Sequence, residues 1–337
     1  MSPLLLLMAL VLCLVTAYYN GFHDASNAVS TAITTRSLRE STALAYAAVL
    51  NFVGALLGMG LTVVTADWAL RLLGIGRLTE HLVDDPNLLA TVLVVVMVVS
   101  LLWEILTWWI GMPSSTWHGF FGGFLGATVA IGAPADWWGL LTVLVTTLVV
   151  PMLAVSLAYL LMHLLRALGR TELVGTRELR FAQTASAGLV ATAHGMNDAR
   201  LPLALAVVLG ATAQLPGIDL IVLMVSISAA VAAGTLMGGH RLIRTIGRRL
   251  TDLSPAQGLA AETSAAAVTG AALLGVDAPV STSHALGASV IGSGVALGPR
   301  HVRWRVARSM VLTWVATPLV TALTTAVLVL AILGLRS

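Results

Sequence analysis

The chain has 337 residues, 58% of them hydrophobic and 10% charged, with a mean hydropathy of +0.94. Soluble domains carry about 25% charged residues, so a soluble globular fold is excluded. One cysteine, Cys13, excludes a disulfide scaffold, and the apolar content excludes a disordered chain. The formal charge of +3 sits on no soluble basic domain, so nucleic acid is not an expected partner. The basic residues, all 18 of them arginine, read instead as topology marks in a lipid bilayer.

At about 20 apolar residues per crossing, the chain has room for roughly ten membrane helices with short loops. Apolar runs between polar punctuation predict Pro3–Thr34, Thr42–Thr65, Leu88–Gly111, Pro113–Ile131 and Gly139–Leu165, then Phe181–Ala213, Leu220–Gly239, Leu259–Val276, Val280–Leu297 and Ser309–Leu333. The first run lacks a positive leader and a small-residue cleavage site, and is read as a retained helix rather than a signal peptide. The first and sixth runs are overlong and carry polar residues at their middles, which predicts broken helices there.

Placing the N-terminus outside puts 14 arginines in cytoplasmic loops, from Arg36 and Arg39 through Arg166, Arg170, Arg177 and Arg180, then Arg241–Arg249 and Arg300–Arg308. Arg71, Arg77 and Arg336 fall outside, as do Asp67, Glu80, Asp84, Asp85, Asp136, Asp219 and Asp277, and only Arg200 is left within a membrane segment. This asymmetry predicts a multi-pass protein of the cell (inner) membrane with both termini outside. Trp68, Trp137 and Trp138 are interfacial candidates.

An internal repeat organises the chain. Gly21-Phe22-His23-Asp24-Ala25 matches Gly195-Met196-Asn197-Asp198-Ala199 at an offset of 174, and Pro113-Ser114-Ser115-Thr116-Trp117-His118 matches Pro279-Val280-Ser281-Thr282-Ser283-His284 at an offset of 166. The halves, 1–168 and 169–337, hold five segments each, and five is odd, so the second half must be inverted relative to the first. Inverted repeats with broken helices at the midplane are the plan of secondary transporters. Asp24 and Asp198, costly in lipid and symmetry-related, are read as a cation site. The hydroxyls of Ser114, Ser115, Thr116, Ser281, Thr282 and Ser283 at two proline-led helix starts suit a tetrahedral oxyanion, as donors at helix N-termini. Taken singly, each would pass for an ordinary cap. Arg200 is read as fixed positive charge for the anion, or as a side chain snorkelling to water.

Other polar residues stay open. His23, His118, His194 and His284 could ligate two haems, which would make the chain a membrane electron carrier. They could also relay protons or be structural. Glu262 is expected near the cytoplasmic end facing water, Glu104 deeper as a cation ligand or support, and Asn51 as a buried hydrogen-bonding residue. There is no nucleotide-binding Gly-rich loop with its lysine, so nucleotide-driven transport by this chain is not expected.

Gly21-Phe22-His23-Asp24-Ala25-Ser26-Asn27-Ala28 resembles the first signature of the inorganic phosphate transporter (PiT) family, and Ala193-His194-Gly195-Met196-Asn197-Asp198-Ala199 its second. Pro279-Val280-Ser281-Thr282-Ser283-His284 resembles the family's proline-serine-threonine-histidine element, and Arg303-Trp304 through Pro318 its last crossing. The resemblance implies a symporter, not an enzyme, moving inorganic phosphate by alternating access with sodium or protons and no other cofactor, commonly as a homodimer. It makes Asp24, Asn27, Asn197 and Asp198 cation (sodium, if sodium-coupled) or substrate ligands. Where the family continues with polar residues after the second aspartate, this chain reads Arg200-Leu201-Pro202, so Leu201 stands opposite Asn27. Sulfate, carried by some relatives, is the alternative substrate.

Overall fold

The computed structural model describes residues 1–64, 75–169, 175–214, 219–275 and 280–336, and is α-helical throughout these. The residues Asp67, Trp68, Arg71, Arg170, Asp277 and Pro279 named above lie outside the described residues. In chain order the helices are α1 Pro3–Thr34, α2 Glu40–Val64, α3 Ile75–His81, α4 Pro86–Ile110, α5 Thr116–Ile131 and α6 Trp137–Gly169. The second half has α7 Thr176–Asp198, α8 Arg200–Thr212, α9 Leu220–Met237, α10 His240–Arg244 leading into a π-helical turn Thr245–Arg249, α11 Pro255–Gly275, α12 Thr282–Val295 and α13 Trp304–Arg336.

All ten expected segments are present, in two classes. Among the described residues, six helices are long and apolar enough to cross a membrane: α1, α2, α4, α6, α9 and α13. The long helices α6 and α13 turn large apolar side chains outward, among them Leu148, Met152, Leu160, Leu319 and Leu323. Helices α5 and α12 have 16 and 14 residues and are buried along most of their length. At 1.5 Å per residue they extend roughly 24 and 21 Å, short of the roughly 30 Å hydrocarbon core. Their starting residues, Ser114–Thr116 and Ser281–Ser283, are buried within the protein, the condition under which irregular backbone survives in a membrane.

The breaks fall elsewhere than expected. Helix α1 runs without interruption through Gly21 and Asp24. The sixth segment is interrupted only at Ala199, between α7 and α8. The substantial discontinuities are at the two proline-serine elements, before α5 and α12. In α1 the mid-helix polar side chains find partners on neighbouring helices, so no unwound backbone is needed to accommodate them.

The halves are related in their packing as well as in sequence. Helix α1 packs on α9 as α7 packs on α2; α5 packs on α13 as α12 packs on α6; α4 packs on α5 as α11 packs on α12. Small residues enforce these pairs, because van der Waals contact rather than the hydrophobic effect drives association between helices in lipid. A Cβ on Gly21 would lie 2.1 Å from the Val231 carbonyl oxygen, and one on Gly195 2.3 Å from that of Asn51. The same mirror relation joins Gly234 to Tyr18 and Gly54 to Thr192, at 1.9 and 2.2 Å. It joins Gly126 to Ala322 and Gly292 to Val155, at 2.0 and 2.3 Å.

The termini lie together. Ser2 N donates to Asn87 Oδ1 at 2.9 Å, and Arg336 pairs with Asp85 at 2.9 Å. The arginine-rich connections contact one another: Arg166 Nη1 donates to Ala296 O (3.2 Å), Arg303 pairs with Asp252 (2.7 Å), and His240 meets Glu40 (2.8 Å). The two sets of loops thus segregate as the charge pattern requires. Trp137 and Trp138 are 72% and 77% exposed at the start of α6.

The glycine contacts give a direct test. Gly54→Ala should destabilise the purified protein by about 1–3 kcal/mol, the range for overpacking a tight interface. Gly60→Ala, in the same helix with nothing within 4 Å of the added methyl, should be neutral or slightly stabilising. Thermal unfolding in detergent reads both; equal stability would show that the α2–α7 contact is not close-packed.

Candidate ion and anion site

Helical spacing puts Asn20, His23, Asp24 and Asn27 on one face of α1, and His194, Asn197 and Asp198 on one face of α7. The two faces meet between the starts of α5 and α12. All these side chains are buried, none more than 4% exposed.

At the centre, His194 Nε2 lies 3.0 Å from Asp198 Oδ2 and 3.6 Å from Asp24 Oδ2, so one imidazole faces both carboxylates. Its other nitrogen, Nδ1, is 3.2 Å from Asn51 Oδ1. The Asn51 amide is oriented by its own Nδ2, which donates to Thr235 Oγ1 at 2.8 Å. Thr235 in turn donates to the Val231 carbonyl at 3.0 Å, so it can only accept from Asn51. Both nitrogens of His194 therefore face oxygen acceptors. An imidazolium there would set its positive charge beside both carboxylates.

The remaining carboxylate contacts follow the repeat. His23 Nδ1 is 2.6 Å from Asp24 Oδ1, and the corresponding Asn197 Nδ2 donates to Asp198 Oδ1. Ser283 Oγ donates to Asp24 Oδ1 at 3.3 Å, and the corresponding Trp117 Nε1 donates to Asp198 Oδ1 at 2.9 Å. Asn20 Nδ2, the counterpart of the central His194, reaches Asp198 Oδ2 at 3.4 Å and Thr116 Oγ1 at 2.8 Å.

Both helix starts are tied to this centre. Asn27 Nδ2 donates to Thr282 Oγ1 and Ser283 Oγ at 3.2 and 2.8 Å, and Asn197 Nδ2 donates to Val280 O at 2.8 Å. On the other side, Ser114 Oγ is 2.8 Å from Thr107 Oγ1 and 3.5 Å from His23 Nε2. Ser115 and Ser281 are N-caps, accepting from the amides of His118 and His284 at 3.3 and 3.1 Å. As accepting caps they keep their hydroxyl hydrogens free to donate. The six expected hydroxyls are therefore gathered at two helix N-termini that converge on the aspartates.

Several expectations change. Arg200 opens α8 and is 2% exposed, so it does not snorkel to water. Glu262 does not face water either. It is fully buried, with Ser186 Oγ donating at 2.6 Å, Gln183 Nε2 at 3.4 Å, and Thr31 Oγ1 also donating to it. Glu104 is buried in α4, one turn before Thr107. Leu201 joins an apolar cluster with Trp117 and Phe120 instead of taking a polar role like that of Asn27. The histidines do not suit two haems. His118 and His284 stack face to face, centroids 4.8 Å apart and planes within 11°, so their in-plane lone pairs run parallel instead of converging on one iron. His23 and His194 are engaged by the aspartates and Asn51. Asn20, Trp117 and Thr107 were missed as site residues, although the two repeat offsets map Asn20 onto His194 and Trp117 onto Ser283.

Residues 20–178 and 169–325 each match the Phosphate transporter family. Among similar proteins, the "Probable low-affinity inorganic phosphate transporter" of Mycobacterium tuberculosis (strain ATCC 25618 / H37Rv) is 37% identical over 329 residues, 93% of this chain and 74% of the relative. The protein of the same description from Bacillus subtilis (strain 168) is 30% identical, with 93% of each chain covered. A solved structure titled "The sodium-dependent phosphate transporter" superposes with a TM-score of 0.79 at 19% identity, covering 98% of this chain and 99% of the other. At that identity the likeness shows the fold.

The mirror-related donors predict matched phenotypes. Trp117→Phe and Ser283→Ala each remove one donor to a buried carboxylate, a hydrogen bond worth about 1.5–3 kcal/mol. Each should weaken phosphate binding about tenfold or more in calorimetry of the purified protein. Ser226→Ala, whose hydroxyl bonds only within its own exposed helix turn, should leave binding unchanged. Parent-like affinity in both central variants would remove the aspartate cluster from the site.

Proposed function

The chain belongs to the phosphate transporter family, and on that footing we propose that it imports inorganic phosphate across the cell membrane by proton-coupled symport and alternating access. The observation that carries the coupling is His194, set between two symmetry-related carboxylates with acceptors at both ring nitrogens. The carboxylate oxygens already take N–H or O–H donors from His23, Ser283, Trp117, Asn197 and Asn20, an arrangement suited to holding a proton on the imidazole. The cluster gains positive charge with that proton and can then admit an oxyanion to the hydroxyls of Ser114–Thr116 and Ser281–Ser283, with the buried Arg200 adding fixed charge. The proton and the anion stabilise one another, which is the thermodynamic requirement for symport.

Sodium is the second reading, favoured by one observation: ligand atoms of Asp24, His194 and Asp198 all lie within 4.8 Å of one another. Alternating access is supported by the halves, 1–168 and 169–337, which supply equivalent helix starts to one centre from opposite sides. The same reading puts both termini outside an inner-membrane protein, opposite the arginine-rich loops. Assembly as a homodimer belongs to the same reading.

Radiolabelled phosphate uptake into proteoliposomes, with pH and sodium gradients imposed separately and sulfate as competitor, tests this. An inward proton gradient should drive uptake without sodium, and excess sulfate should not compete. Asp24→Asn and Asp198→Asn should abolish gradient-driven uptake while the protein stays folded. Ser115→Ala and Thr282→Ala should lower affinity for phosphate. Arg200→Gln should lower affinity and steepen the dependence on the coupling ion. Uptake that follows only the sodium gradient overturns proton coupling, and uptake that sulfate abolishes overturns the substrate assignment.

A further inference from the structure

A second basic site lies away from the central cluster. The α4 C-terminus ends at Gly111, in left-handed conformation with φ 74°, three residues before Ser114. Against it packs the segment formed by α10 and the π-turn, and between them is a cavity of about 510 Å³ lined by Trp109, Ile110, Gly111, His240, Arg241, Arg244 and Arg249. An adjoining cavity of about 230 Å³ shares His240 and Arg244 and adds Arg248 and Glu40.

This arginine cluster is built into the fold. Arg241 Nη1 donates to the Trp109 carbonyl at 2.6 Å and its guanidinium lies 5.1 Å from the Trp108 ring centroid, fixing one wall. Thr245 Oγ1 donates to the Gly111 carbonyl at 2.7 Å, so the π-turn is pinned to the helix end. Arg249 Nη1 would be 3.8 Å from a Cβ on Gly111, close against the same end. Among the described residues, Arg244, Arg248 and Arg249 form no ion pair, and Glu40, the one acid lining either cavity, is engaged by His240 at 2.8 Å. Topology alone asks only that arginines be present in a cytoplasmic loop. Here Arg241, Arg244 and Arg249 converge with His240 on one open cleft large enough for more than a single phosphate.

We propose that this cavity is an anion site for phosphate groups, distinct from the transport site and open to the cytoplasmic side. Guanidinium groups are the preferred partners of phosphate oxygens because their paired N–H donors match them two at a time. Two sources share that chemistry: a soluble oligophosphate, and the headgroup of an anionic phospholipid, for which the exposed Trp109 and Ile110 at the rim offer an apolar flank. Occupancy would clamp α4, and with it the loop carrying Ser114–Thr116, to the segment following α9, which presses on α1 beside His23 through Gly239. The site would thereby couple a cytoplasmic phosphate ligand to the transport centre.

The test uses the whole protein in nanodiscs of zwitterionic phosphatidylcholine, with inorganic triphosphate as the soluble probe and phosphatidylglycerol doped into the disc as the lipid probe. Thermal stability and triphosphate binding are read for the parent, for Arg244→Gln/Arg249→Gln, and for Arg244→Lys/Arg249→Lys. Arg241 is left intact to preserve the cavity wall. The parent should be stabilised by at least one probe. The glutamine pair should lose that stabilisation and weaken the binding at least about tenfold, with the lysine pair intermediate. Stabilisation by triphosphate alone assigns the soluble source, and by phosphatidylglycerol alone the lipid source. No effect of either probe, or an effect the glutamine pair retains, overturns the proposal. Ser115→Ala should leave the response to either probe intact, which separates this result from the assignment of the transport site.

Discussion

One imidazole between two carboxylates is the contact on which the architecture turns. An aspartate deep in a bilayer is expensive, and two close together repel, so Asp24 and Asp198 can coexist only if something between them supplies donors or charge. His194 fills that place, and Asn51 fixes the far side of its ring. Because Asp24 comes from α1 and Asp198 from α7, this contact joins the two halves at their centre. The glycines that let α1 press on α9 and α7 on α2 hold the two faces in register.

The fold surrounds this centre in layers. Long apolar helices such as α6 and α13 face lipid, while the short α5 and α12 start within the protein, where their N-termini and hydroxyls converge. Each half supplies the same set: a helix face with an amide or imidazole one turn before the aspartate, and a capped helix start from which Trp117 or Ser283 donates to the other half's carboxylate. Symmetry of position is kept while chemistry diverges: Trp117 stands where Ser283 does, Asn20 where His194 does, and Leu201 where Asn27 does. The two helix starts are therefore chemically unequal, with an indole on the α5 side where the α12 side has a hydroxyl.

Much of this was legible in the residues. Ten segments, the inverted repeat and the four elements of the centre follow from hydropathy, arginine placement and the two offsets, because lipid allows few ways to satisfy a backbone. Expectations failed where tertiary contact decided. The middle of α1 looked broken because its polar residues had no visible partners; in the fold they bond to α5, α7 and α12, and the helix continues. Glu262 looked solvent-facing from its place near a segment end, yet Ser186, Gln183 and Thr31 enclose it. Trp117 drew no reading of its own, since an indole gives no sign in sequence that its one N–H points at a buried carboxylate. The close glycine contacts were equally silent, because they depend on which helix lies opposite.

The most direct measurement of the central claim is the pH dependence of phosphate affinity in sodium-free buffer, compared between the parent and His194→Gln. The titratable groups around this imidazole are His23 and Asp24 on α1 and Asp198 on α7. The imidazolium favours the anion, so its contribution is present at low pH and is lost as pH rises through its deprotonation, over and above the ionisation of phosphate itself. The account predicts that this excess dependence appears in the parent, is absent from His194→Gln, and is unchanged when sodium is added. Parent affinity that follows sodium at fixed pH, with the same pH profile in both proteins, would contradict it.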